Sequence, residues 1–388
     1  MKRILILVPL LLAACGGEKG DSNAVRGVSD TTITFGIHTD LSGPLATWGV
    51  PNVNGLRMRF DEANAAGGVH GRTIELAVED SQYQVPIAVK AVNKLVNVDN
   101  VFGMISSMGT PHNNATFGMM FDAGVPSLFP ATAAVSMAEP LHPMKFSFFV
   151  SYRDQARGGI KYLVNETGAK NICLQRIATD YGEEVQIGFQ QAVEELGLEV
   201  VYTGGHKVTE TDFVGTVTSI KNSGCELLVL GPFVKDTIQL YSSLRNAGWN
   251  KPIVTNMVSY VQEVSGAGNT EGLYAATSMF VPSTEASANA WAVDWMNRYR
   301  DRFGTEPVVQ AVVTYVTADV IIRGLENAGR ELTAESFLAS LESIDSHEDP
   351  FGGPTLSLSS TKHVAADTLN LYQVQDGKWV TVAEGIRF

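Results

Sequence analysis

The stretch Ser106–Thr116, "SSMGTPHNNAT", is built of small polar residues and carries no formal charge unless His112 is protonated. It follows the apolar run "VFGMI" and precedes a helical pattern. After Gly109, Thr110 and Pro111 read as the N-cap and first residue of a helix. A helix N-terminus offers free N–H groups and a partial positive charge, so it suits a carboxylate or another acceptor. The plainer alternative is capping by Thr110 with no ligand. "FPATAA", with Thr132 and Ala133, is a second strand ending in small residues, and its plain alternative is a tight turn. "TDYGEE" puts Tyr181 at a third strand-to-helix junction. The chemistry these residues suggest is binding. The chain has no GxSxG, GxxxxGK[ST] or GxGxxG pattern. Its 7 histidines are scattered without metal-ligand spacing. Glu79 and Asp80, adjacent in the strand-like "TIELAVED", point to opposite faces and read as a solvated strand end. No catalytic residue, metal ligand or cofactor is expected.

Strands and helices must hold these junctions in place. "TITFGIH", "TIELAVED", "VFGMIS" and "VPSLF" read as strands separated by helical patterns, the first with Leu56, Phe60 and Ala63 on one face. The alternation βαβαβα predicts a parallel sheet with helices on both faces. It restarts near Phe148–Asp154 and repeats through "PIVTNM", so two such units, and a cleft between their strand ends, are expected. Two long helical patterns follow; one places Trp291, Trp295 and Tyr299 on a face read as core. Asp376-Gly377 between two alternating runs predicts a hairpin.

The 388 residues and net charge of −13 allow two or three domains and argue against nucleic-acid binding. "MKRILILVPLLLAAC" has a basic start and an apolar run too short to span a membrane, as in a signal peptide. Its end, Leu12-Ala13-Ala14-Cys15, resembles a bacterial lipobox, which implies a leader over 1–14 and a lipid on Cys15 that ties the chain to a membrane. Residues 15–30, rich in glycine and polar side chains, read as a flexible tether. Cys173 and Cys225 read as separate buried thiols, although an oxidising compartment permits a disulfide.

Stretches along nearly all of the mature chain resemble the type I periplasmic solute-binding proteins of ABC transporters, in particular the branched-chain amino acid (leucine/isoleucine/valine) binding group. They are "LSGPLATWG", "NGLRMRFDEANAAGGVHGRTIELAVED", "AVKAVNKLVN", "GVPSLFPATAA", "TDYGEE" and "LRNAGWNKPIV". The resemblance implies an α/β fold of two doubly wound parallel-sheet lobes joined by a three-crossover hinge. The crossovers would fall near 149–153, 279–283 and 353–358. Lobe one would comprise 31–150 plus 283–353, and lobe two 153–280 plus 357–388.

The resemblance also implies a site. Trp48 matches an aromatic wall of the pocket; Gly109, Thr110 and Pro111 match a loop that holds the ligand carboxylate. Thr132 and Ala133 fall in a second carboxylate loop, while Tyr181 and Phe233 match pocket aromatics. Where the family grips the ligand's ammonium with acidic residues, this chain has Tyr152 and Met257, with Asp154 two places on as a substitute. A buried ammonium without an anionic partner costs several kcal/mol. These departures point to an apolar or aromatic carboxylate as ligand, with a branched-chain-type amino acid as the alternative. The expectation is an extracytoplasmic lipoprotein, not an enzyme, that closes on a small solute and engages ABC permease subunits. A sensor of the same fold that signals to a partner is the alternative.

Overall fold

Short β-branched and aliphatic runs, each followed by an amphipathic helix, build two sheets in succession. The computed structural model describes residues 25–280 and 289–388. The leader, Cys15 and part of the 279–283 crossover lie outside the described residues. The first sheet holds β1 (Thr32–Thr39), β2 (Thr73–Asp80), β3 (Gly103–Ile105), β4 (Ser127–Leu128) and β5 (Lys145–Phe146), all parallel, in the order β2-β1-β3-β4-β5. Helices α1 (Ala46–Ala65), α2 (Val85–Asn97) and α3 (Thr110–Asp122) connect the first four strands. The chain enters the second lobe with α4 (Tyr152–Thr167). There β6 (Asn171–Ile177), β7 (Glu199–His206), β8 (Leu227–Gly231), β9 (Ile253–Asn256) and β10 (Tyr274–Thr277) run parallel, in the order β7-β6-β8-β9-β10. Helices α5 (Asp180–Leu196), α6 (Val214–Asn222), α7 (Val234–Asn246) and α8 (Gln262–Ser265) link them.

Helices α9 (Ala290–Phe303), α10 (Val309–Ala328) and α11 (Ala334–Glu342) belong with the first sheet, where α10 lies against α1. That crossing is close because Gly55 has no side chain: a Cβ there would meet Thr314 Oγ1 at 2.2 Å. Of the predicted aromatic face of α9, Trp295 and Tyr299 are core, whereas Trp291 is 37% exposed and packs its edge on Tyr315 and Phe351. The chain ends with β11 (Leu369–Gln375) and β12 (Lys378–Ile386), an antiparallel hairpin added to β10 of the second sheet. Asp376 and Gly377, both at positive φ, form its two-residue turn.

Three expectations change. The tether does not reach residue 30: Val25 and Val28 pack on the core, and Gly27 accepts a hydrogen bond from Thr34 N at 2.8 Å. The third passage between lobes comes after 353–358, because Val364 still pairs with Ser147 beside β5 and β11 begins only at Leu369. Cys173 and Cys225 are joined in a disulfide, not separate thiols; β6 and β8 are neighbours, which brings their Cα atoms to 5.9 Å.

Candidate functional site

In both sheets the strand order reverses beside the first strand, at β1/β3 and at β6/β8, and ligands favour the carboxyl ends of strands at such points. The loops leaving those ends face one another. After β1 the buried Asp40 carboxylate accepts from Gly43 N (2.5 Å) and Leu45 N (2.7 Å), which sets Leu45 and Trp48 against the cleft. Asp80, expected at a solvated strand end, instead organises this loop by accepting from Leu41 N (2.9 Å) and Ser42 Oγ (2.6 Å). Desolvation would raise its pKa, but these bonds and one from Gln82 N outweigh it and hold the carboxyl below its ordinary value. Gln82 and Tyr83 follow in the left-handed region, a turn that carries Tyr83 to the cleft.

After β3 the chain reaches Gly109 at φ 97°, and Gly109, not Thr110, is the residue preceding the first turn of α3. A Cβ at Gly109 would lie 2.3 Å from His112 Nδ1, so only glycine fits. Thr110 makes no capping hydrogen bond. Its hydroxyl pairs with that of Thr132 at 2.7 Å, joining the two small-residue loops. In the second lobe Thr179 caps α5, so that Tyr181 points inward; its hydroxyl donates to Asn256 Oδ1 at 3.1 Å. Phe233 stacks on Tyr181 at 6.0 Å, Tyr152 meets Tyr181 edge-on at 4.7 Å, and Tyr83 of the first lobe meets Phe233 edge-on at 5.6 Å.

These residues enclose a cavity of about 30 Å³, room for about two water molecules. Of the residues singled out from the sequence, Trp48, Gly109, Thr110, Thr132, Tyr152, Tyr181, Phe233 and Met257 line it. Pro111, Ala133 and Asp154 do not. Pro111 stands second in α3 and outside the lining, and Ala133 contributes its carbonyl to Tyr152 N at 2.8 Å. Asp154 sits in the first turn of α4, turned away from the cleft, where it pairs with Arg157 at 2.8 Å and accepts from Ser151 Oγ at 2.7 Å. The crossover becomes helical at Tyr152, so the alternation that would have aimed Asp154 inward is absent.

Leu45, Tyr83, Met108, Ala131 and Val258 complete the lining and were not singled out from the sequence. Tyr83 carried a usable signal: it lies in "SQYQVP", a strand-to-helix junction like those of Thr110 and Tyr181. No charged side chain lines the cavity. Beneath it, burial and then the neighbouring His112 push His38 down to about 3, and burial lowers His112 too, so both imidazoles are neutral at ordinary pH. Burial raises Tyr152 to about 12 and raises Tyr83 and Tyr181 as well, which keeps all three phenols protonated. The site can therefore offer hydroxyls, backbone N–H groups and aromatic faces, but no acid, base or nucleophile pair. Among the described residues no His/Cys/Asp/Glu cluster could hold a metal, and no helix is long and apolar enough to cross a membrane.

Residues 32–378 match the model of a family described as periplasmic binding protein. A curated relative, the Leu/Ile/Val-binding protein homolog 3 of Brucella melitensis, is 23% identical over 90% of this chain and 93% of its own length. Among solved structures, the fatty acid ABC transporter substrate-binding protein of Thermomonospora curvata superposes with a TM-score of 0.83 at 23% identity, covering 94% of both chains. A solute-binding protein of an ABC transporter from R. palustris, in complex with benzoate, gives 0.80 at 17% identity over 92% of this chain and 97% of its own. At these identities the structural matches establish the fold.

Proposed function

The chain belongs to the periplasmic binding protein family, and on that premise we propose that it captures a small apolar or aromatic carboxylate in the interlobe cleft and delivers it to an ABC permease. It is a binding protein, as its curated relatives are, and not an enzyme. The carboxylate lies against Thr110, Thr132 and the N-terminus of α3, and the apolar part lies between Trp48, Tyr152, Tyr181 and Phe233. The observation that carries this reading is the uncharged lining: an amino acid's ammonium would be buried there without an anion. Asp154, the substitute anion, is already engaged by Arg157. A cavity of about 30 Å³ is smaller than any such solute, so the lobes part to admit it and close around it. Lipid on Cys15 holds the protein at the membrane outside the cytoplasm.

A second reading, a branched-chain-type amino acid, is favoured by what the Brucella melitensis relative is named for binding. A thermal-shift panel separates the two. It sets leucine, isoleucine and valine beside amine-free acids of matched shape, benzoate and phenylacetate among them. At about a hundred times its Kd a true ligand stabilises by roughly 2.7 kcal/mol. Stabilisation by the amine-free acids alone supports the carboxylate reading, and stabilisation by the amino acids alone replaces it with the second.

A further inference from the structure

Behind the indole of Trp48 lies a second, smaller cavity of about 10 Å³, inside the first lobe. Trp48 and Ala131 line both it and the cleft cavity, so the indole is the partition between them. Its walls come from α1 and α10 where Gly55 lets them approach, from the loops after β3 and β4, and from the interlobe passages at Phe149 and Met279. Six of its side chains carry polar atoms and are deeply buried: Trp48 (8% exposed), Asn52 (2%), Ser106 (1%), Gln310 (2%), Thr314 and Thr317. Trp48 Nε1, Asn52 Nδ2, Ser106 Oγ and both amide atoms of Gln310 have no hydrogen-bond partner among the described residues. The threonines of the same wall differ, for Thr314 and Thr317 donate to the Gln310 and Val313 carbonyls, each at 2.9 Å.

An orphaned buried polar atom is destabilising, and the side chains that carry five of them all line this cavity. A chamber so furnished calls for a polar occupant. The lining holds no charged residue, so that occupant is neutral. The set contains three N–H-bearing groups, a hydroxyl and one amide oxygen, which matches a group that accepts and also donates once. Phe129, Phe149, Met279 and Val313 supply an apolar sleeve around it.

We propose that this chamber is a distal subsite of the cleft, reached when Trp48 swings aside, that takes a hydroxyl at the far end of the solute. The proposal rests on the cleft being the solute site and extends it: the solute has an apolar middle, a carboxylate at Thr110 and an alcohol beyond Trp48. The alternative occupant is one resident water, which the volume also accommodates.

Calorimetric titration of the purified protein decides between them. Three series are compared: straight-chain acids from butyrate to octanoate, their ω-hydroxy counterparts, and 1-alkanols of the same lengths. At one length or more the hydroxy acid binds at least about tenfold tighter than the plain acid, because the plain acid leaves the buried polar groups unpaired. Gln310→Met and Asn52→Leu each erase that preference and leave plain-acid affinity in place; if one variant fails to fold, the other carries the test. Equal affinities at every length, or a preference that both variants keep, overturn the subsite while leaving the carboxylate reading intact. Binding of alkanols but no acids, dependent on Gln310, upholds the subsite and removes the carboxylate from Thr110. Binding of none of the three series overturns it.

Discussion

The two lobes share one strand order, β2-β1-β3-β4-β5 and β7-β6-β8-β9-β10, yet they offer the cleft different chemistry. The first lobe presents small loops, with Gly109, Thr110, Ala131 and Thr132, beside the aromatic Trp48 and Tyr83 and over a layer of neutral histidines and unpartnered polar atoms. The second presents Tyr181 and Phe233, with the tyrosine hydroxyl tied to Asn256. The second lobe also carries the disulfide and a hairpin that widens its sheet. The scaffold thus fixes where the loops meet, and the residues on them decide what each side can hold. The second lobe is covalently reinforced, while the first holds the small polar loops.

Removing the disulfide should give the largest effect. Cys173→Ala with Cys225→Ala releases a loop of 52 residues, and chain entropy then favours the unfolded second lobe by about 4 kcal/mol. Hydrogen exchange should show protection lost in β6–β10 before β1–β5; equal loss in both would break the contrast in reinforcement. Acid should act on the other lobe. His38 has a folded pKa of about 3 against an ordinary 6.5, so the unfolded chain takes up the proton first and stability falls as pH drops through that window. From pH 6.5 to about pH 4.5 this amounts to about 2 kcal/mol, His112 adds in the same direction, and His38→Leu should flatten the profile of melting temperature against pH.

Ligand binding sharpens the comparison. Phe233→Ala removes an aromatic wall and should weaken binding by about 2 kcal/mol for any apolar solute. Thr110→Val removes one hydroxyl and should cost about 1 kcal/mol for carboxylates, with little change for neutral solutes of the same shape. If Thr110→Val weakens acids and neutral analogues alike, the division of labour between lobes fails. The smallest effect belongs to Asp154→Asn, whose partly exposed ion pair with Arg157 stands outside the cleft. Binding and stability should both stay within about 0.5 kcal/mol of the parent, and a large loss of amino-acid binding would return Asp154 to the site.

Much of the cleft was legible because its residues sit at strand-to-helix junctions, which local pattern reveals. Thr110, Thr132 and Tyr181 were found in that way, and Tyr83 at "SQYQVP" obeys the same rule. Asp154 was misplaced because the start of α4 rotates each side chain by about 100° from the last, where an extended strand would alternate. The polar chamber had no local mark at all, since Asn52 and Gln310 lie on two helices far apart in the chain.

What the sequence determined alone is what short range can specify: alternating strands and amphipathic helices, two parallel-sheet units, the Asp376-Gly377 turn and the small-residue junctions. Tertiary structure decided the rest. It joined Cys173 to Cys225 through neighbouring strands, turned Asp154 outward, folded residues 25–30 onto the core and brought Asn52 and Gln310 to one cavity. The physical reason is range: periodicity records which face of an element is apolar, whereas the partner that covers that face depends on packing between segments far apart in the chain.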